Sequence, residues 1–144
     1  MSGWLGYQNL DYSRRAIRLL ELLPAHHHLS KFRPACRILH TSLDEDPSFS
    51  ALSYVWGSAD DTTIVLVDKR PFRVTRNLFD ALIGLRETET ITIWIDAICI
   101  NQQDKKEKCI QVKMTRSIYK RAANVIFWLG QQEQHDKAAV RLMN

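Results

Sequence analysis

Two carboxylates stand where chemistry is commonly placed. Asp96 closes the apolar run Ile91-Thr92-Ile93-Trp94-Ile95, and Glu107 follows at the start of a helical pattern. Carboxylates held in such positions can stabilise a developing positive charge or orient a reacting group. Between them, Cys99 offers a thiol, while Asn101 and Gln102 offer amide donors and acceptors suited to reading a nucleotide or to fixing their own loop. Upstream, Ser53, Tyr54, Trp56 and Gly57 end another apolar run. Tyr54 and Trp56 can stack on a planar ring or simply fill a core. Gly57 lets a ligand approach the backbone or serves only a turn.

Each group has a bland alternative. Asp96 can cap the turn that follows by accepting the amides of Ala97 to Cys99. Glu107 is favoured in a first helical turn by the macrodipole alone, with Gln111 one turn later on the same face. Cys99 would be a nucleophile only beside a histidine, yet His26, His27, His28, His40 and His135 fall in no recognisable partner motif, so a buried structural thiol is the plainer reading.

The elements that must position these groups alternate along the chain. Ala51 to Trp56, Thr63 to Val67, Ile91 to Ile95 and Val125 to Leu129 read as strands, and Ala35 to Leu39 as a further one. Asp68-Lys69-Arg70-Pro71 turns the chain into Phe72-Arg73-Val74, a hairpin insertion. Thr75 caps a helix striped by Leu78, Leu82 and Leu85, and Asp104 to Ala123 is a basic amphipathic helix striped by Ile110, Met114, Ile118 and Ala122. His135 to Met143 reads as the start of another helix, and its ending at Asn144 suggests an excised piece. Tyr12 to Leu23, with Arg14, Arg15 and Arg18 among aliphatics, is a helix or strand lead-in, and His26 to His28 is a loop, since adjacent histidines point apart. The rhythm implies an α/β fold with βαβ crossovers and a mainly parallel sheet of about four or five strands, helices on both faces. Ligands of such sheets bind outside the carboxyl ends of the strands. The ends at Tyr54 to Gly57, Asp96 to Cys99 and Leu129-Gly130 should therefore meet at one edge.

Length and composition fit one globular domain: 144 residues, 45% hydrophobic and 25% charged. The mean hydropathy of −0.26 and the lack of a long apolar run exclude a membrane span. The start of the chain carries no signal core, so the cytoplasm is expected, with Cys36, Cys99 and Cys109 reduced and no metal site among them. A net charge of +4 without arginine-rich tracts makes nucleic acid an improbable partner.

With these segments in view, the sequence resembles a heterokaryon incompatibility (HET) domain, a module of filamentous fungi that triggers cell death when incompatible individuals fuse. The family pattern appears as Ala51-Leu52-Ser53-Tyr54-Val55-Trp56-Gly57, then Trp94-Ile95-Asp96-Ala97-Ile98-Cys99-Ile100-Asn101-Gln102. Glu107 with Gln111-Val112, Met114, Ile118-Tyr119 and Ala122 follows, and then Trp128-Leu129-Gly130. The resemblance implies a single domain over residues 1–144, with a lead-in to about residue 40 and core motifs over residues 49–144.

HET domains are similar in turn to TIR domains, whose flavodoxin-like sheet can cleave NAD at the nicotinamide bond or act as an assembling platform. This likeness implies NAD as a substrate, with no separate cofactor. Asp96 and Glu107 would be the catalytic carboxylates, Glu107 stabilising the positive charge that develops on ribose as nicotinamide departs. Ser53, Tyr54, Trp56, Gly57, Cys99, Asn101 and Gln102 would bind substrate. The TIR catalytic glutamate lies further downstream, where Glu133 is the nearest candidate and no motif marks it. The resemblance also implies activation by self-association or by an NLR-like or other sensor protein. The basic helix face around Lys113, Arg116 and Lys120 is then either a contact for another copy or a solvated surface.

Overall fold

The computed structural model describes Trp4 and residues 6–131 and 137–143. Eight strands form one sheet in the order β5-β4-β2-β1-β6-β3-β7-β8. In chain order they are β1 (Ala16–Leu22), β2 (Ala35–Ser42), β3 (Ser50–Tyr54), β4 (Thr62–Val67), β5 (Arg70–Thr75), β6 (Ile91–Trp94), β7 (Asn124–Gln131) and β8 (Lys137–Met143). Helix α1 (Arg76–Leu85) follows β5, a single turn α2 (Asp96–Cys99) follows β6, and α3 (Lys105–Arg121) leads into β7. The side chain of Thr75 accepts the Leu78 N–H and that of Asp104 accepts the Glu107 N–H, so both long helices start at the expected caps.

The centre of the sheet is the expected parallel trio. β3 lies between β6 and β7 and is parallel to both, with Ala51 opposite Trp94 and Tyr54 opposite Trp128. Residues paired in register share a face, so Ala51 and Trp94 face one side while Tyr54 and Trp128 face the other. Helices cover both sides here: Tyr119 of α3 meets the Trp94 ring edge-on at 5.6 Å between centroids. On the opposite face, Gly84 of α1 sits so close to Trp128 that a Cβ there would lie 2.6 Å from the indole. The packing of α1 on β7 thus requires glycine at that point.

The α/β class holds, but the sheet is larger and more mixed than four or five mainly parallel strands. Antiparallel pairs flank the trio: β1 with β6 and with β2, β4 with β5, and β7 with β8. Two segments explain the difference. The lead-in, open between helix and strand in the sequence, is strand β1, buried between β2 and β6. Its near-continuous aliphatics do not distinguish a buried strand from a helix, and the neighbouring strands decide. Lys137–Met143, read as part of a helix, is instead strand β8 paired along the edge of β7. Lys-Ala-Ala-Val-Arg-Leu-Met is rich in helix formers, and the unpaired edge of β7 outweighs that propensity. His135 and Glu133 lie outside the described residues. The hairpin insertion is present as β4 and β5, turning through Asp68 and Lys69, both at positive φ, the geometry of a two-residue hairpin turn.

A buried ion pair fastens the N-terminal segment and β1 to the start of α3. The Arg18 guanidinium donates to both oxygens of Glu107, at 2.7 and 2.8 Å, and both side chains are 1–2% exposed. Arg18 also donates to the carbonyls of Cys99 and Gln8, and Glu107 accepts the Asn101 N–H at 2.5 Å. The Tyr7 ring lies under the guanidinium, 4.6 Å away, and its hydroxyl donates to the Ile98 carbonyl. One fork–fork contact therefore ties residues 7–8, β1, the loop after α2 and α3. Breaking such a pair strands a buried charge, so Glu107→Ala is expected to lower unfolding free energy by about 3–5 kcal/mol. The double variant Arg18→Met/Glu107→Leu should recover most of that loss. Urea titration of the four-member cycle checks both, and a single variant as stable as the parent would show that the pair is not the clamp described.

Candidate functional site

The carboxyl ends of β3, β6 and β7 lie side by side, as their parallel pairing requires. There Tyr54 and Trp56 stack with their rings 3° from parallel and 6.5 Å apart between centroids. Trp56 remains 46% exposed, with Val55 and Leu129 exposed beside it at the same edge. Asp96 begins α2 just beyond β6. Its carboxylate is hydrogen-bonded by the Trp56 side chain and the Ala97 N–H, while its Oδ1 is buried without a hydrogen-bond partner among the described residues. Burial pushes the Asp96 carboxyl above the usual range, the two hydrogen bonds opposing it. The result is an exposed aromatic ledge with a part-buried carboxylate behind it, one oxygen of which is buried and unpartnered among the described residues.

Two tyrosines face the same carboxylate. Burial, with the Asp96 charge added to it, raises the hydroxyl pKa of both Tyr54 and Tyr119. Tyr119 donates to the Leu52 carbonyl at 2.9 Å and is hydrogen-bonded with Ser53. Ser53 and Tyr54, adjacent in β3, point to opposite faces. Tyr119 belongs to the family pattern in the sequence but not to the candidate site residues. The available signal was its place on the inner side of the α3 stripe next to Ile118, which distinguishes a packed tyrosine poorly from a site tyrosine.

The remaining candidates build the frame. Gln102 donates to the Asp96 carbonyl at 3.0 Å, and Asn101 Oδ1 accepts the Gln103 N–H, so both amides fix the loop after α2. Cys99 is fully buried, its Sγ accepts the Ile95 N–H, and burial pushes the thiol up to about 12, which suits packing rather than nucleophilic attack. Gly57 has φ +78°, and the Asn77 side chain donates to the Val55 carbonyl beside it. Its conformation is one that side chains strain to adopt, so the turn itself needs glycine. Glu107 is committed on both oxygens to Arg18, and Oε2 also accepts the Asn101 N–H. No group of histidine, cysteine and carboxylate side chains among the described residues could hold a metal ion. No helix among them is long and apolar enough to cross a membrane.

The Asp96 environment has a measurable consequence. A folded-state pKa above the unfolded one means that the folded chain holds this proton more tightly. The cost is absent below the ordinary carboxylate value and is full above the folded value. Asp96→Asn is therefore expected to raise the urea midpoint at pH 7 and to lose that advantage as pH falls below about 4. Equal midpoints for the two proteins at pH 7 would contradict the burial cost assigned to this carboxylate.

With that geometry described, relatives give it context. Residues 49–144 match the family described as Heterokaryon incompatibility protein (HET), a span that contains Tyr54, Trp56, Asp96 and α3. The chain is also similar to "Heterokaryon incompatibility protein 6, OR allele" of Neurospora crassa, 41% identical over 128 residues. That alignment covers 79% of this chain but 18% of the relative, so the chain spans less than a fifth of the length of the curated relative it matches. No solved structure matches the chain. On the family match and this identity together, the chain belongs to the heterokaryon incompatibility (HET) family.

Proposed function

We propose that this domain is an effector of fungal non-self recognition that triggers cell death by cleaving NAD or a related nucleotide at the edge formed by Tyr54, Trp56 and Asp96. The observation that carries the reading is the Asp96 carboxylate, with one buried oxygen unpartnered among the described residues, set against an exposed indole at the carboxyl ends of parallel strands. Trp56 stacks on a planar base, and Asp96 accepts a ribose hydroxyl or faces the cationic sugar. The glycosidic bond breaks with its electron pair leaving on nicotinamide, water adds to the ribosyl cation, and a proton is released. A carboxylate beside the cationic sugar stabilises that transition state electrostatically. Glu107, saturated by Arg18 and the Asn101 amide, acts as a positioning residue for the loop that carries Gln102, whose amide holds the Asp96 carbonyl.

A second reading rests on α3, where Val112, Lys113, Arg116 and Lys120 are all exposed. Here the domain kills by assembling with another copy or a sensor protein, without chemistry. The two readings separate when NAD is followed in cells after induction of the chain. In the first, NAD falls, and Asp96→Asn, folded by circular dichroism, slows the fall by about a hundredfold or more. In the second, NAD stays level while death continues, and reversing the charges of Lys113, Arg116 and Lys120 abolishes both death and self-association in light scattering. A folded Asp96→Asn chain that consumes NAD at the parent rate rejects the catalytic assignment.

A further inference from the structure

On the far side of the sheet, the wing formed by β5, β4 and β2 presents two unlike faces. Val65 pairs with Phe72 and is buried, so that face belongs to the core, with Phe72 packed on the Trp4 ring 5.7 Å away. Ile64 pairs with Arg73 and Leu66 with Pro71, so these four side chains share the other face. Ile64 and Leu66 are only half-buried, although strand interiors of this composition are normally covered. Together with residues of the segment that precedes β2 they line a groove of about 370 Å³. Its lining includes Ile64, Leu66, Pro71 and Phe32 and the cations Lys31 and Arg33, with no carboxylate among the described residues that line it. Phe32 is 81% exposed, and Lys31 Nζ stands 5.3 Å over its ring. Arg73, on the same face, reaches Thr62 at 2.9 Å and adds a further exposed cation.

We propose that this groove is a docking site for a short acidic segment of a partner protein, one that inserts a bulky apolar side chain between flanking aspartates or glutamates. The argument is charge complementarity combined with shape. The volume falls within the range of about 300–1,000 Å³ usual for sites that bury a ligand. The apolar lining rewards an inserted side chain, and the cations beside it, with no carboxylate among the described lining residues, steer an acidic segment and disfavour a basic one. Ile64 and Leu66 are half-buried in the lining while Phe32 stands exposed beside them, so an inserted apolar side chain can meet all three. The site lies on a different part of the sheet from Asp96 and is independent of the function proposed above.

The test is selection of a random peptide display library on the full chain, followed by fluorescence anisotropy of synthetic versions of the enriched peptides. The expected result is a set of sequences with Asp or Glu beside a large apolar residue. Their affinity should fall at least tenfold on the chain carrying Lys31→Glu with Arg33→Glu, and at least tenfold on Phe32→Ala, both chains folded by circular dichroism. Raising salt should weaken binding to the parent chain. Enrichment of peptides without acidic residues, equal binding to the variants, or no enrichment at all overturns the proposal. So does finding that the double charge reversal abolishes binding only to phosphatidylserine vesicles, or only self-association in light scattering, which would assign the face to a membrane or to a second copy.

Discussion

Removing two charges from water costs several kcal/mol per ion after relaxation, and a fold carries such a pair only where geometry repays it. Arg18 and Glu107 meet that condition, with two parallel hydrogen bonds and further bonds to the carbonyls of Gln8 and Cys99 and from the amide of Asn101. The partners come from β1 and from the first turn of α3, and the backbone groups they hold belong to the N-terminal segment at Gln8 and to the end of α2 and the loop after it, at Cys99 and Asn101. That loop is where the sheet gives way to the site. Its path fixes Gln102, whose amide holds the carbonyl of Asp96. The chain of dependence thus runs from a buried pair, through a loop, to the carboxylate at the sheet edge.

The edge itself is organised by opposite means. Where Arg18 and Glu107 saturate one another, Asp96 retains an oxygen with no partner among the described residues, and its burial raises its pKa. A carboxylate held this way weakens the folded state at neutral pH, because burial opposes its charged form. The neighbouring aromatics share that character. Trp94 and Trp128 are buried against α3 and α1, whereas Trp56 remains in contact with solvent beside Tyr54. One residue type therefore serves the core at two positions and a surface ledge at a third, and the difference lies in whether the strand has ended.

Several features could be read from the sequence because they depend on neighbours along the chain. The caps at Thr75 and Asp104, the hairpin turn at Asp68 and Lys69, the helical stripe from Ile110 to Ala122 and the parallel strands ending near Tyr54 and Ile95 are of this kind. The motifs around Ser53-Tyr54 and Asp96 also identified the family from residue order alone. The lead-in is open between helix and strand in the sequence, and the C-terminal segment reads as a helix though it is a strand, for a common reason. Aliphatic-rich or alanine-rich stretches satisfy both helix and strand, and their state is set by which sheet edge is free to pair.

What the sequence by itself determined, then, was the α/β class, the meeting of the strand ends and the residue types available there. Only the tertiary structure decided what each of them touches. Glu107 and Asp96 are both carboxylates near helix starts, and local sequence gives no reason to separate them. Arg18, distant in sequence on β1, reaches Glu107 and neutralises it, whereas no cation reaches Asp96 among its hydrogen-bonding partners and only an indole and a backbone amide do. Coulombic pairing and desolvation depend on distance through space, and no pattern along the chain encodes which guanidinium will stand beside which carboxylate.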